Sequence, residues 1–341
     1  MPLVSVVMSV YNGGAFLGDA IESILRQTLS DFELIVVDDA STDDSSAVLA
    51  GFRDARLRVL KNERNIGLAR SLNKAIRSAR GTYIARQDAD DLSLPNRFEL
   101  EAEFLGRHSE VGLVGSPAIV INDAGADTGA WGVPYSDIDI KWALLFCNPF
   151  VHTSVMFRRT AVERAGAYSE DSRCAYTEDY DLWLRLAATS VLANLHQPLV
   201  QWRDRTGSVS SRNQQEQWKQ MQRLSGASIQ KLLGPENLDP AGWSAFRKLV
   251  RASPREPVHL DSSEVDSGIK VAQQIRQAFY RHYRFNCSVT QSHHRHCCWL
   301  WGKHMLALAC TNNGARDLRC RLTLLAVGMK LLSRAGRSTA A

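Results

Sequence analysis

The segment YIARQDADDLSLP, residues 83–95, decides the fold expected of this chain and points to its chemistry. It begins as a β-strand, and this strand is followed by three aspartates within four residues and then by a proline at position 95. Like charges this close repel one another unless a cation lies among them. The segment therefore predicts a strand of a buried sheet that ends at a cation site.

Similar apolar runs lie on both sides of this segment. LVSVVMSV (3–10), FELIVVDD (32–39) and LRVL (57–60) precede it, and GLVGSPAIVI (112–121) is predicted to supply one more strand. Runs that are apolar on both faces are typical of a parallel sheet. Helical patterns separate them, as in GLARSLNKAIRSARG (67–81), where apolar residues recur three and four apart. This alternation predicts an α/β fold with a mostly parallel, doubly wound sheet.

Acidic residues follow two of the predicted strands. Asp38 and Asp39 end the second strand, and the aspartates at 88, 90 and 91 end the fourth. Ligands of such sheets bind outside the carboxyl ends of the strands, so both groups should face one crevice. An Asp-X-Asp pair there suits a hard divalent cation that also binds phosphate. The alternative is that Asp91 caps a following helix with Pro95 in its first turn.

Charge divides the 341-residue chain into two parts. Residues 1–215 carry 22 Lys and Arg against 28 Asp and Glu, a net charge of −6, whereas residues 216–341 carry 19 against 8, a net charge of +11. We therefore expect a catalytic domain over 1–215 and a basic helical C-terminal extension over 216–341. The first residues read as a strand, no apolar run reaches 18 residues, and the seven cysteines are irregularly spaced. These features predict a cytoplasmic protein.

The basic extension has two open interpretations. CWLWGKHMLALAC (298–310) and LRCRLTLLAVGMKLLSR (318–334) could lie on an anionic membrane surface as peripheral helices, or pack on the catalytic part. The stretch SHHRHCCWLWGKH (292–304) holds five candidate zinc ligands, namely His293, His294, His296, Cys297 and Cys298. Their clustering lacks the separated pairs of a structural zinc site, which favours the start of a basic helix. No nucleic-acid-binding motif is present, so no nucleic acid partner is expected.

Four segments, in this order, resemble the inverting glycosyltransferases of family 2, which have the GT-A fold. They are SVVMSVYNG (5–13), ELIVVDDASTDDS (33–45), NIGLARSLNKAIRSARGTYIARQDADD (65–91) and TEDYDLWLRL (177–186), and the resemblance covers residues 3–212. It implies a metal-dependent transferase of the hexosyltransferase type. The enzyme would move a sugar from a UDP-, GDP- or dTDP-linked donor to a hydroxyl of a glycan or lipid-linked glycan. The expected pathway is synthesis of bacterial cell-surface polysaccharide or lipopolysaccharide.

The resemblance also implies the donor site. Asp88 and Asp90 would form the DxD pair, with Asp90 as the direct ligand of Mn²⁺ or Mg²⁺. The residues implied to bind the nucleotide-sugar are Ser9, Val10, Tyr11, Asn12, Asp38, Asp39, Arg70, Asp88, Ala89 and Asp90. Arg70, Asn73 and Gln87 are lesser candidates near this pocket. For Arg70, Asn73 and Gln87 an ordinary structural role is equally open.

A transferase of this type also needs a base. Cleavage of the sugar–phosphate bond leaves negative charge on the diphosphate, which a metal can accept, and the incoming hydroxyl must lose a proton. The resemblance implies Asp179 as the base and Glu178 as an acceptor-binding residue. Both should stand at the N-terminus of a helix, where the dipole is expected to keep a carboxylate ionised. The alternative is that they only cap this helix.

Two further segments resemble parts of the family's cleft. His152, in PFVHTS (149–154), and Trp183 would lie on the acceptor side, although a structural histidine is equally open. In QWRDRTGSVSS (201–211), Arg203, Arg205 and Ser208 would belong to a loop over the diphosphate. Arg205 stands where family members often carry a histidine, so a metal contact by this loop is not expected.

The sequence bears on two other functions. The chain could bind a nucleotide-sugar without transferring it, as a scaffold in a glycan-assembly complex. The presence of Asp90 and Asp179 argues against this scaffold. A nucleotidyltransferase would need a glycine-rich triphosphate loop, and YNGGAF (11–16) is too short and lacks basic residues.

Overall fold

A computed structural model of the protein describes residues 1–205, 212–234, 239–251 and 261–283. The strands are β1 Val4–Val10, β2 Phe32–Asp38, β3 Leu57–Lys61, β4 Tyr83–Asp88, β5 Leu92–Ser93, β6 Val111–Gly115, β7 Ala118–Ile121, β8 Asp127–Trp131, β9 Met156–Arg158, β10 Val191–Asn194 and β11 Val200–Arg203. The helices are α1 Gly14–Leu25, α2 Ser45–Gly51, α3 Leu68–Ser78, α4 Arg97–Arg107, α5 Asp137–Ala143, α6 Arg159–Arg164, α7 Glu178–Ala187, α8 Gln214–Leu233, α9 Pro240–Arg251 and α10 Ser262–Tyr283. Two short 3-10 helices span His152–Ser154 and Ser172–Cys174.

A seven-stranded sheet forms the centre of the first part of the chain, in the order β10-β6-β9-β4-β1-β2-β3. Its strands run parallel except β9, which is antiparallel to β4 and β6. The four strands predicted from apolar runs before residue 90 are confirmed as β1 to β4. Strands β1 and β2 are almost wholly buried, which explains why they carry apolar residues on both faces.

The single strand predicted for residues 112–121 was wrong. The chain forms two strands there, and β6 belongs to the large sheet whereas β7 belongs to a second sheet of order β5-β11-β7-β8. Pro117, between them, has no amide to donate to a ladder. The amide of Ser116 instead bonds the side chain of Ser154 at 3.1 Å. The break moves the chain from one sheet to the other.

Helices cover both faces of the large sheet. On one face α3 and α7 bury Leu72, Ile76 and Leu186, and on the other α1 and α4 bury Leu17 and Phe98. Each large apolar side chain buried in this way contributes roughly 1.5–3 kcal/mol relative to exposure. The sheet is therefore held between two apolar layers, and its strand ends are left to carry polar groups.

The chain forms two compact units, Met1–Ser225 and Gly226–Ala341. In the second unit α9 and α10 pack through Phe246, Val265 and Phe279, and Lys248 pairs with Glu264 at 2.5 Å. The predicted boundary at residue 215 stays a prediction. Of the helices in the described ranges, none combines the length and the apolarity needed to span a bilayer. The candidate zinc ligands at 293–298 and the basic helices predicted after residue 297 lie outside the described residues.

Candidate active site

The carboxyl ends of β1, β2 and β4 lie side by side. Ser9 of β1 is in register with Asp88 of β4, and Val10 is in register with Asp38 of β2. After β1 the chain turns outward, so that Tyr11 is 51% exposed. Asn12 then accepts a hydrogen bond from the amide of Thr42 at 2.8 Å. The predicted donor segments therefore meet at one edge of the sheet.

Asp38 and Asp39 are each only 2% exposed, and both brace the loops around the crevice. Asp38 accepts hydrogen bonds from the Ser41 amide at 3.0 Å and the Ser46 hydroxyl at 2.6 Å. Burial opposes its ionisation, but these hydrogen bonds lower the pKa of Asp38 below its ordinary value. Asp39 accepts from the amides of Ile66 and Gly67 at 2.9 and 2.8 Å, where α3 begins. Contact of either carboxylate with a nucleotide stays a prediction.

The acidic turn, residues 88–91, is attached to the end of β11. The amide of Arg203 donates to Asp91 Oδ1 at 2.8 Å, and its Nε donates to the carbonyl oxygen of Asp90 at 2.9 Å. Nε of Arg205 lies 2.9 Å from Asp90 Oδ2. Helix α4 begins only at Arg97, so the alternative in which Asp91 caps this helix is wrong. The structure does not describe Ser208, the third residue expected in this loop.

Arg86 lies beneath the acidic turn, and its side chain is 2% exposed. One of its Nη atoms contacts Asp88 Oδ2, whereas its Nε has no hydrogen-bond partner among the residues described. Burial raises the pKa of Asp90, Glu178 and Asp179, and the positive charge of Arg86 opposes this rise at each of them. One buried guanidinium thus interacts electrostatically with acidic groups that lie about ninety positions apart in the sequence.

Burial and mutual repulsion oppose the ionisation of Asp90 and Asp91 in the acidic turn. Burial and the nearby charge of Asp88 raise the pKa of Asp90, although Arg205 opposes this shift. Burial, Asp88 and Asp90 raise the pKa of Asp91 well above its ordinary value. In both carboxyls, burial and neighbouring carboxylates disfavour the ionised form. Additional cationic charge at this turn would favour the ionised forms.

The donor atoms of the turn fit a divalent cation. Asp88 and Asp90 offer carboxylate oxygens, and hard cations such as Mg²⁺ use one or two carboxylates, several waters and the phosphates of a ligand. A cation at the turn would favour the ionised form of Asp90, which burial and the charge of Asp88 disfavour. Within the described ranges, no group of three or more His, Cys, Asp or Glu side chains is arranged to hold a metal. The site therefore suits a metal that arrives with a phosphate ligand.

Glu178 and Asp179 form the first turn of α7, as predicted. The expectation that the helix dipole keeps a carboxylate ionised is wrong for Glu178, because desolvation outweighs the dipole there. Burial, followed by the charge of Asp179, raises the pKa of Glu178 to about 7. Burial also raises the pKa of Asp179, although hydrogen bonds from the Tyr180 amide and from Asn148 lower it. The Asn148 amide nitrogen donates to Asp179 Oδ2 at 2.6 Å.

His152 is half-buried beside Tyr168 and Trp183. Its Nε2 lies 2.8 Å from the hydroxyl oxygen of Tyr168. Burial and the charge of Arg86 hold the pKa of His152 well below its ordinary value, so the ring is neutral. Trp183 is fully buried, with its ring 5.9 Å from that of His152. The expectation that Trp183 itself meets an acceptor is therefore corrected, since it packs in the core behind His152.

The three lesser donor candidates have structural contacts. Arg70 pairs with Glu170 on the surface at 3.4 Å. Asn73 is buried and bonds the amide and carbonyl of Tyr168 at 3.0 and 2.9 Å. Gln87 is fully buried, and its side-chain oxygen accepts a hydrogen bond from the Ser93 hydroxyl at 2.7 Å. The structure therefore favours the ordinary role for all three.

Backbone strain accumulates around the crevice. Four non-glycine residues have positive φ in the described ranges, and three of them are Asn12 (54°), Ala40 (61°) and Tyr176 (64°). They follow β1, follow β2 and precede Glu178. Such conformations cost of order 1–3 kcal/mol each and concentrate at functional sites. Their distribution supports the location of the site at these strand ends.

Sequence reasoning missed three residues that shape the site: Arg86, Asn148 and Phe16. The guanidinium carbons of Arg203 and Arg205 lie 4.5 and 5.3 Å from the centre of the Phe16 ring. A signal existed only for Arg86, because an arginine inside an otherwise apolar buried strand needs a buried partner. Nothing in the sequence links Asn148 or Phe16 to the site.

Comparison with known proteins agrees with this geometry. Residues 5–166 match the profile described as glycosyl transferase family 2. The amylovoran biosynthesis glycosyltransferase AmsE of Erwinia amylovora is 34% identical over 214 residues, which cover 61% of this chain and 79% of that protein. An uncharacterized glycosyltransferase of Haemophilus influenzae is 33% identical over 235 residues, covering 65% and 72% respectively. A Bacillus subtilis relative is 38% identical over 187 residues, but the match spans 66% of its length, just under two thirds.

Solved structures show the same architecture. The structure of residues 1–349 of TarS from Staphylococcus aureus, in complex with UDP-GlcNAc, aligns with a TM-score of 0.56 at 18% identity. The alignment covers 98% of this chain and 89% of that one. At this identity the likeness bears on the fold alone. The predicted GT-A fold is confirmed.

Proposed function

Because this chain belongs to glycosyl transferase family 2, we propose that it transfers a sugar from a nucleotide diphosphate donor to a hydroxyl group, with inversion at the anomeric carbon. The proposed product is a bacterial cell-surface polysaccharide. Two relatives are named for such pathways: AmsE for amylovoran synthesis, and WbnJ of Escherichia coli, 32% identical over 192 residues, for O-antigen synthesis.

One observation carries the proposal. The acidic turn at 88–91 and the carboxylate pair Glu178–Asp179 act on the same buried guanidinium, that of Arg86. The charge of Asp88 also raises the pKa of Glu178, so the two acidic groups interact electrostatically. A transferase needs a cation site for the departing diphosphate beside a carboxylate for the incoming hydroxyl. This arrangement matches that need.

The donor side consists of the ends of β1, β2 and β4. In our proposal the segment from Ser9 to Asn12 lines the nucleotide pocket, and Asp38 and Asp39 hold its loops in place. Asp88 and Asp90 would hold Mn²⁺ or Mg²⁺, which when bound acts as a Lewis acid for the charge of the diphosphate. Arg203 keeps the acidic turn in position through Asp90 and Asp91.

The acceptor side centres on Asp179. Its raised pKa brings it nearer to neutral pH, where a general base is most effective. The hydrogen bond from Asn148 fixes Asp179 Oδ2 and limits the rise in the pKa of Asp179. Glu178 has a pKa of about 7, so it can donate a hydrogen bond to a hydroxyl of the sugar acceptor when protonated and accept one from it when ionised. A single base that assists a direct displacement produces inversion.

We place the reaction in the cytoplasm, with a glycan or lipid-linked glycan as acceptor. Contact with the inner face of the membrane through the basic extension belongs to the same proposal. Its physical basis is the net charge of +11 over residues 216–341, because anionic lipids attract clustered Lys and Arg.

Calorimetric titration with UDP-, GDP- and dTDP-sugars tests the donor site. The panel is measured with and without Mn²⁺ on the wild type and on Asp90→Ala. We expect metal-dependent binding of one donor that Asp90→Ala abolishes. Binding without turnover of any acceptor would favour the non-catalytic scaffold, and failure of every donor to bind would reject the donor site.

A further inference from the structure

Arg205 pairs with the carboxylate proposed to hold a metal ion. Its Nε lies 2.9 Å from Asp90 Oδ2, and the two side chains are 29% and 25% exposed. A guanidinium carries no lone pair for a cation and stays protonated in proteins. Arg205 therefore cannot itself be a metal ligand, and its positive charge opposes a cation at the Asp90 oxygen that it contacts.

The position of Arg205 is supported from two sides. Arg203, two residues earlier, is bonded to the carbonyl oxygen of Asp90 and to the carboxylate of Asp91. Both guanidinium groups lie over the ring of Phe16 on α1, an arrangement that favours cations. The contact between Arg205 and Asp90 thus belongs to a cluster of several contacts that includes Arg203 and Phe16, unlike an isolated surface ion pair.

The other charged groups of the turn do not replace Arg205 at Asp90. Arg86 is engaged by Asp88, and Asp91 accepts from the amide of Arg203. In the part of the chain that the structure describes, Arg205 is the basic side chain that forms an ion pair with Asp90. A divalent cation that approaches Asp90 Oδ2 would meet the positive charge of Arg205 at the same oxygen.

We propose that Arg205 and a divalent cation compete for the Asp90 carboxylate, so that a metal binds the donor-free protein only when Arg205 leaves Asp90. Arg205 is then a built-in counter-ion that keeps the turn neutralised when no metal is present. The inference rests on the proposed function only in taking Asp90 as the metal ligand.

Titration of the full chain with Mn²⁺ alone, with free Mn²⁺ followed by electron paramagnetic resonance, tests the competition without any donor. Arg205→Met and Arg205→Gln should tighten Mn²⁺ binding by about twofold to fivefold, the range expected from loss of a half-exposed ion pair. Arg26→Met is the matched control, because it removes one positive charge from an exposed pair with Glu22. It should leave the Mn²⁺ affinity unchanged.

Asp90→Asn identifies the carboxylate involved. It should weaken Mn²⁺ binding, and Arg205→Met added to Asp90→Asn should then have no further effect. The competition is rejected if the Arg205 variants bind Mn²⁺ no more tightly than Arg26→Met, or if Asp90→Asn binds as the wild type does. Such a result in a protein that still binds a donor and turns it over would leave the proposed function intact.

Discussion

Arg97→Met should lower the free energy of unfolding by about 3–5 kcal/mol, the usual cost of removing one partner of a buried ion pair. The Arg97 side chain is fully buried, and its Nε lies 3.2 Å from Glu101 Oε2. Its Nη atoms donate to the side chains of Gln87 and Ser93 at 2.9 and 3.0 Å. They also donate to the carbonyl oxygens of residues 86 and 155 at 2.9 and 3.2 Å. Methionine is similar in volume but donates to none of these acceptors, and among the residues described only Gln87 and the carbonyl oxygen of residue 155 keep another donor, from the Ser93 hydroxyl and the Arg86 amide.

The loss of unfolding free energy in Arg97→Met should increase with pH. Burial raises the pKa of Glu101 to about 7, although Arg97 lowers it. Without Arg97 this pKa rises further above the unfolded value. Stability from the protonated carboxyl is then present at low pH and lost as pH rises. The difference between wild type and Arg97→Met should therefore be larger at pH 8 than at pH 5.

Urea unfolding at both pH values measures the effect. Arg107→Met is the matched control, because Arg107 makes the same i,i+4 contact on the same helix, with Glu103, but is exposed. It should change stability by less than about 1 kcal/mol. Arg97→Met combined with Glu101→Leu should recover part of the loss, since no charge is left buried. Equal effects of Arg97→Met and Arg107→Met would refute the reasoning.

Two further predictions concern a glycine and the base. Gly81→Ala should destabilise the protein by about 1–3 kcal/mol, because a Cβ there would lie 2.6 Å from a backbone nitrogen of β1. Gly106→Ala, in the last turn of α4, should be neutral or stabilising, because a Cβ there would have no neighbour within 4 Å; thermal unfolding compares the two variants. Asn148→Ala removes a hydrogen bond that lowers the pKa of Asp179, so the acid limb of kcat/KM should move to higher pH. An unchanged limb would count against Asp179 as the base, and Glu178→Gln should shift the limb toward lower pH because a negative neighbour is lost.

The large sheet was predictable because parallel strands buried on both faces carry a local signature. The apolar runs of β1, β2 and β4 could be recognised from the sequence alone. The transfer of the chain between sheets at residues 115–118 could not, since it depends on a contact between Ser116 and Ser154. Contacts across many residues leave no periodicity in a sequence.

The site was predictable in its acidic residues but not in their charge states. Two acidic motifs could be found from the resemblance, yet the pKa of Glu178 depends on how deeply the fold buries α7 and on Asp88, ninety residues away. The same holds for Trp183, whose full burial follows from packing on Phe150 and Phe157. Burial, unlike residue type, is a property of the assembled fold.

The most direct test of the proposed transferase separates donor binding from turnover in Asp179→Asn. The donor is the one identified by the calorimetric panel, and release of nucleoside diphosphate is followed with a glycan acceptor. We predict donor affinity like that of the wild type and turnover lower by about 10²–10⁴-fold, the contribution of a positioned general base. Turnover of Asp179→Asn within about threefold of the wild type would contradict the assignment of the base.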